Sequence, residues 1–353
     1  MSQKIEVCIP MWNEYAQIEA TLAALNNQTF RDFKISLFDN ASDDNTVDLC
    51  QSYETDIEIN IYRRTKNIGQ TANMNRMYAN SNAEFVALLS ANDIVADDYL
   101  EALLAEFSRE PEIGSAYSHA TYVDDSGVPF PNQPTNWEFF SLFDDDAVAR
   151  ACGSVEKYCQ ATNFFALYRK SVLDRMQPQP FCYGGDHIFA CEAAIYGKVA
   201  CTKATTVGRS PPPGSQSPEK RAQHLINLFS LDHQRGLPGN SKMGAFDRIT
   251  PNVDMFHGYL GMFRLADLPH DDRARLVNAG CQSFLKRFGS GLDGDLNRFK
   301  PVAQQIADAV TANDPLTRMM AFHALRKIDQ CLFLKRDPEL MDVRAQLSRA
   351  YCA

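Results

Sequence analysis

Short apolar runs alternate with amphipathic stretches through the first 110 residues of the chain. Lys4 to Ile9, Lys34 to Phe38, Ile57 to Tyr62 and Phe85 to Ser90 have the length and β-branched content of strands. Between and after them, Tyr15 to Asn26, Asn45 to Tyr53, Gln70 to Asn80 and Asp97 to Ser108 carry helical spacing. Strands and helices in alternation imply right-handed crossovers and a mostly parallel sheet, hence an α/β fold of Rossmann-like kind. Ser115 to Val123 predicts a further strand closed by the turn Asp124-Asp125-Ser126-Gly127, Asn163 to Tyr168 another, and Asp186 to Gly197 an amphipathic helix.

The proline-rich Ser210-Pro211-Pro212-Pro213-Gly214-Ser215 marks a boundary, giving a unit over 1–215 and a mainly helical region over 216–353. That second region predicts helices at Glu219 to Ser230, Asn252 to Leu265, Asp271 to Phe288, Val302 to Ala312, Pro315 to Phe333 and Pro338 to Tyr351. No fixed period recurs, so a solenoid is not supported.

Polar clusters follow the apolar runs. Pro10-Met11-Trp12-Asn13-Glu14 ends the first, Asp39-Asn40-Ala41-Ser42-Asp43-Asp44-Asn45-Thr46 the second, and Asn67-Ile68-Gly69, with Asn73 and Asn75 beyond it, the third. Ser90-Ala91-Asn92-Asp93 ends the fourth, and Gly184-Gly185-Asp186-His187 comes much later. In an open α/β sheet the carboxyl ends of parallel strands form the ligand crevice, so these clusters in series describe one nucleotide-sized site.

In order and wording the clusters resemble the strand-end segments of family 2 glycosyltransferases of the GT-A fold: PxYNE, DDGSxDxT, NxGxxxAxN, a DxD-like acidic motif and a late acidic residue. The resemblance covers roughly the first two thirds of the chain. It implies a hexosyltransferase-type inverting enzyme of polysaccharide biosynthesis that moves a sugar from a nucleotide-diphosphate donor, UDP- or dTDP-linked, to a hydroxyl of a glycan or lipid-linked saccharide. Pro10, Trp12, Asn13, Glu14, Asp39, Asn67, Gly69, Asn73, Asn92, Asp93 and Arg209 are then the nucleotide-sugar-binding positions, and Asp186 the general base.

Each position carries a plainer alternative. Trp12 either stacks on the base or covers the edge of the core, and its polar neighbours favour stacking. By the resemblance Asp39 accepts the N3–H of uracil or thymine, a bond that rejects bases lacking the donor. Asp43 and Asp44 suit helix capping. Gly69 lets backbone approach the nucleotide, while Asn73 and Asn75 are nearly as well read as ordinary amides. Asp186 suits either a helix start or the ionised carboxylate that general-base chemistry needs within reach of a hydroxyl; the two glycines before it favour the base by leaving room for substrate. His187 reads as a packing or acceptor-facing residue.

The acidic motif departs from the pattern. By the resemblance a divalent cation, Mn²⁺ or Mg²⁺, would be held by hard carboxylate oxygens, and Ser90-Ala91-Asn92 leaves only Asp93 charged, so Asp93 is the one metal-ligand candidate. The family's late histidine has no counterpart in Gly208-Arg209-Ser210-Pro211. Arg209 is either a fixed cation for the phosphates or a surface arginine.

Composition narrows the field. A net charge of -9 argues against a nucleic-acid partner. The ten cysteines are scattered without a CxxC pair and read as reduced thiols. With no run near the roughly 20 apolar residues of a membrane span, the expectation is a cytoplasmic protein, with support of the acceptor, a homo-oligomer contact or peripheral contact at the inner membrane face left to the helical region. Asp144-Asp145-Asp146 reads as a solvated helix start, and Lys220-Arg221 and Arg273 to Arg275 as solvated faces. Two other functions compete: a catalytically degenerate sugar-nucleotide-binding or scaffolding subunit, favoured by Ser90-Ala91-Asn92, and a nucleotidyltransferase, disfavoured because Pro10 to Glu14 holds no Gly, Lys or Arg.

Overall fold

The computed structural model describes residues 3–124, 127–131, 138–157, 162–210, 250–310 and 315–352. The expected helix Glu219 to Ser230, with Lys220-Arg221 and most of the proline-rich boundary, lies outside the described residues.

Five expected strands form as β1 (Ile5–Met11), β2 (Phe33–Asp39), β3 (Ile59–Ile61), β4 (Phe85–Leu88) and β6 (Ile113–Tyr122), whereas of the strand expected at Asn163 to Tyr168 the first four residues are turn and β7 covers only Leu167–Arg169. Two strands were not expected, β5 (Ile94–Val95) and β8 (Lys198–Arg209). β5 is too short to carry a pattern. β8 reads KVACTKATTVGR, whose valines and threonines are a strand signal, but a register shift against β6 interrupts its alternation.

The sheet order is β3-β2-β1-β4-β7-β6-β8-β5. β1 pairs in parallel with β2 and β4, and β2 with β3. β7 runs antiparallel to both β4 and β6, so β6 points the same way as β4, and β8 is parallel to β6. Met11, Asp39, Leu88, Tyr122 and Arg209 therefore end their strands along one edge. Both sheet faces are covered: Ile5, Val7, Ile9 and Met11 of β1 join one apolar cluster, while Cys8, Phe38, Val86 and Leu88 join another. That explains the near-continuous apolar runs of these strands.

On one side of the sheet lie α1 (Ile18–Asn26), α2 (Thr46–Ser52) and α4 (Tyr99–Arg109), whose apolar residues enter the first cluster. Asn73 and Met74 sit in α3 (Gln70–Ala79), with Met74 in the other cluster. α5 (Ala147–Lys157), the short α6 (Lys170–Leu173) and α7 (Gly185–Tyr196) follow. The acidic run does precede a helix: the Asp146 carboxylate accepts the Val148 N–H at 3.1 Å, and Asp145 pairs with Lys198 at 2.7 Å.

The C-terminal region is helical, with α8 (Pro251–Leu265), α9 (His270–Ala309), α10 (Pro315–Leu334) and α11 (Pro338–Cys352). The two helices expected at Asp271 to Phe288 and Val302 to Ala312 are one helix of 40 residues, about 60 Å long. Its glycines and Pro301 look like breaks in the sequence. Leu292, Leu296, Phe299 and Ala303 nevertheless fall at helical spacing and are buried in the third cluster, and that packing outweighs propensity. The same cluster takes in Val148 and Val155 of α5 and Ile188 and Ile195 of α7, so the C-terminal helices form a core with helices of the first unit.

Asp295, inside α9, caps the N-terminus of α8. Its buried carboxylate accepts the Asn252 N–H at 2.6 Å, the Val253 N–H at 3.1 Å and the Asn252 Nδ2–H at 3.1 Å. α7 is buried nearly all round, Glu192 included. The Glu192 carboxylate accepts the Gln177 N–H at 2.9 Å, and burial pushes it up to about 7 against that bond.

Two stability predictions follow from these carboxylates. Asp295→Ala leaves orphan donors at the start of α8, and the urea midpoint should fall by the equivalent of about 2 kcal/mol with an unchanged slope. Glu192 holds its proton more tightly folded than unfolded, so its contribution is complete below pH 4 and is lost as pH rises through 7. Glu192→Gln should therefore stabilise the protein by about 2 kcal/mol at pH 8 and by nothing at pH 4, as read from denaturant melts at the two pH values.

Candidate functional site

The first two strand-end loops are knitted together. Trp12 leaves β1 with 39% of its surface exposed. Asn13 then takes a left-handed backbone, φ 58°, which Asn tolerates better than most residues. Its N–H donates to Ser42 Oγ at 2.9 Å, its Nδ2 donates to Asp43 Oδ1 at 2.6 Å, and its Oδ1 accepts the Asp43 N–H at 3.0 Å. Glu14 follows with its N–H on Thr46 Oγ1 at 2.8 Å, and burial, then Asp44, push its carboxyl up. Asp44 accepts the Thr46 N–H at 3.0 Å at the start of α2, the structural role expected of it.

Asp39 ends β2 fully buried. Its carboxylate accepts the Ser42 N–H at 3.2 Å and the Ser42 hydroxyl at 2.5 Å, and Arg63 Nε lies 3.5 Å away. As the structure stands, Asp39 is not an open acceptor for a base. Arg63, whose side chain is 55% exposed, covers it. Between Asp39 and Ser42, Ala41 also has a left-handed backbone at φ 65°, in the place where the resembling family has glycine. The Cβ of Ala41 makes that conformation costly, so the turn is held by its hydrogen bonds.

The third segment joins the second through side-chain amides. Asn40 Nδ2 donates to Asn67 Oδ1 at 2.9 Å, Asn40 Oδ1 accepts the Ile68 N–H at 2.9 Å, and Asn67 Oδ1 also accepts the Gly69 N–H at 2.8 Å. Gly69, at φ 83°, supplies the left-handed turn into α3. Asn73 is buried, with Nδ2 donating to the Phe38 carbonyl at 2.6 Å, so it braces α3 on β2. Asn75 is no ordinary surface amide: it accepts the Gln179 N–H at 2.7 Å and donates to the Gln179 carbonyl at 3.0 Å, fixing the segment that leads to α7.

The fourth segment is a closed turn. The Asp93 N–H donates to the Ser90 carbonyl at 3.1 Å, and Asp93 Oδ2 accepts the Ser90 N–H at 2.8 Å. Thr21 of α1 holds the turn from beneath by donating to the Ala91 carbonyl at 2.9 Å. Asn92 is half-buried on this turn. β5 starts at once and pairs antiparallel with the end of β8, Ile94 facing Gly208, so the next pair outward sets Asp93 opposite Arg209.

Arg209 is thus not a surface arginine. It is 9% exposed, with Nε 3.7 Å from Asp93 Oδ1 and its guanidinium 4.8 Å from the centre of the Phe165 ring. Burial pushes the Asp93 carboxyl up, against the pull of Arg209 and the Ser90 N–H. These residues fit Mn²⁺ or Mg²⁺ poorly: one Asp93 oxygen is taken by the backbone, the other faces a guanidinium, and a serine and an amide stand beside it. Among the described residues no three His, Cys, Asp or Glu side chains gather closely enough to hold a metal ion.

Asp186 lies in the first turn of α7, half-buried. α7 leads through Gly197 alone into β8, so its first turn sits toward the edge where β8 ends. The paired glycines before Asp186 do not leave room for a substrate. A Cβ on Gly184 would come within 2.4 Å of Met255 Sδ of α8, and one on Gly185 within 2.6 Å of the Pro180 carbonyl. Gly184 also has a left-handed φ of 70°. Packing and backbone conformation together demand these glycines. His187 packs, as expected, its ring 6.4 Å from that of Phe288 in α9, and burial pushes its imidazole down to about 4.

Sequence reasoning missed Arg63. The only available signal was its place, just past β3 and level with the Asp39 loop.

Residues 6–177 match the family described as Glycosyl transferase family 2. Among curated relatives, GalNAc(5)-diNAcBac-PP-undecaprenol beta-1,3-glucosyltransferase of Campylobacter jejuni is 22% identical over 188 residues, 52% of this chain and 57% of that protein. Glycosyltransferase GlyA of Streptococcus pneumoniae is 25% identical over 122 residues, 33% of this chain and 17% of that one. The chain therefore spans 57% or less of the length of these two relatives. Of solved structures, TarS 1-349 of S. aureus, determined in complex with UDP, superposes with a TM-score of 0.55 at 14% identity over 99% of this chain and 89% of that one. Mannosyltransferase PcManGT from Pyrobaculum calidifontis, in complex with GDP-Man and Mn2+, gives 0.50 at 15% identity over 99% and 86%. Residues 6–177, with their strand-end segments borne on a mixed, mostly parallel sheet of the GT-A fold, are a glycosyl transferase family 2 region.

Proposed function

We propose that the chain is an inverting glycosyltransferase that moves a sugar from a UDP- or dTDP-linked donor to a hydroxyl of a glycan or lipid-linked saccharide. The observation that carries this reading is the common edge: the segments ending β1, β2, β4 and β8 and the first turn of α7 all come to the carboxyl ends of the parallel strands. The family match and the UDP complex of a structure sharing the fold support it.

In this reading the exposed ring of Trp12 stacks on the base. The loop braced by Asn40, Asn67 and Gly69 brings backbone against the nucleoside, and Asp39 reads the base only when Arg63 gives way. Asp186 accepts the proton of the acceptor hydroxyl. The hydroxyl oxygen bonds to the anomeric carbon as the bond from that carbon to the diphosphate oxygen breaks, and the nucleoside diphosphate leaves with the electron pair, inverting the centre. No step is routed through a divalent cation, because the donor set at Asp93 does not fit one.

The C-terminal helices set the position of the base. Met255 of α8 fills the space above Gly184, and Phe288 of α9 meets His187, so both flanks of Asp186 rest on them. An acceptor saccharide would approach from this side. The competing reading, a binding subunit without catalysis, draws on Ser90 and Asn92 standing where the family resemblance expects acids.

Product analysis with a panel of UDP-, dTDP- and GDP-sugars, together with calorimetry of the corresponding diphosphates, separates the two. The account expects transfer by the wild type and, in Asp186→Asn, a loss of turnover of roughly a hundredfold or more with nucleotide affinity unchanged. Equal turnover in the two proteins rules Asp186 out as base. Nucleotide binding without transfer to any acceptor tried favours the binding subunit.

A further inference from the structure

We propose that Arg209 supplies the positive charge that faces the donor diphosphate, so that nucleotide binding by this chain does not depend on a divalent cation. The inference rests on the nucleotide-sugar reading and deepens it. The first support is the poverty of the metal site. Ser90 and Asn92 offer no charge, and a cation at Asp93 would have to share that carboxylate with a guanidinium 3.7 Å away. Two positive charges gathered on one buried carboxylate repel each other.

The second support is the state of Arg209. Its Nε and Nη2 are buried and make no hydrogen bond among the described residues, since 3.7 Å to Asp93 is too long for one. Unmet buried donors on a charged group are costly and call for a partner. The third is placement. β5 pairing on β8 fixes Arg209 opposite Asp93 at the strand-end edge, and the Phe165 ring packs against its guanidinium. A planar guanidinium held this way matches phosphate oxygens with paired N–H groups, and its charge stabilises the diphosphate as it leaves. Asp93 holds the arginine in position and does not bind a metal.

Calorimetry of the full chain with UDP, in EDTA and in Mn²⁺, tests this, with uridine as the phosphate-free probe and dTDP and GDP run alongside. The expected result is the same UDP affinity in EDTA and in Mn²⁺. Arg209→Gln should weaken UDP roughly tenfold to a hundredfold and leave uridine unchanged, while Arg209→Lys recovers part of the loss; thermal melts establish that each variant is folded. UDP binding that EDTA abolishes overturns the inference and leaves the nucleotide-sugar reading standing. So does an Arg209→Gln protein that binds UDP like the wild type, or one that loses UDP and uridine alike. Failure of all three diphosphates to bind in either condition overturns both. If the Gln and Lys variants do not fold, the comparison of EDTA with Mn²⁺ on the wild type still decides.

Discussion

A guanidinium and a carboxylate buried side by side are expensive to desolvate, and a fold keeps them only where the surrounding structure leaves no alternative. Asp93 and Arg209 are such a pair. Their meeting is dictated by backbone pairing, Ile94 on Gly208, and so by the return of β8 along the full height of the sheet. Asp93 also closes the Ser90 turn, which stands where the resembling family has its acidic motif. Removing either charge would leave its partner buried and uncompensated.

Around that pair the site is built from backbone and short polar side chains. Ser42, Asn13, Asn40 and Asn67 hold three loops in register through bonds of 2.5 to 3.3 Å, and two non-glycine residues, Asn13 and Ala41, are kept in left-handed conformations. Strain of this kind persists only where neighbouring contacts over-determine the loop. These loops are therefore organised by their own hydrogen bonds, with Arg63 over Asp39 as the part that must move for that carboxylate to meet a ligand. A site organised in this way is the condition under which fixed dipoles and a fixed guanidinium are effective. The C-terminal helices extend the same logic to α7, since a cap from Asp295 fixes the start of α8 and α8 in turn presses on Gly184.

Much of this was legible in the sequence, for identifiable reasons. β1, β2 and β4 are buried on both faces, and their apolar runs announce them, while β3 lies half-buried at the sheet edge; the polar words at the strand ends keep family spacing. Three things were hidden. β5 and β8 depend on each other, and a two-residue strand and an interrupted one leave little local pattern. Gly184 and Gly185 looked like open space, because a sequence does not show that Met255 and Pro180 fill it. The burial of Arg209 was invisible for the same reason: it follows from a pairing between residues more than a hundred positions apart. Pro301 misled in the opposite direction, as a tertiary stripe held together a helix that local rules would break.

On the proposal for Arg209, a nucleoside diphosphate lies along the strand-end edge with its phosphates on that guanidinium. A crystal structure of the chain grown with UDP and Mn²⁺, with anomalous data collected for manganese, would show whether it does. The account predicts the uracil against Trp12, diphosphate oxygens within hydrogen-bonding distance of the Arg209 guanidinium, and no anomalous peak beside Asp93. A manganese peak bridging Asp93 and the diphosphate, or a nucleotide bound away from this edge, would contradict it.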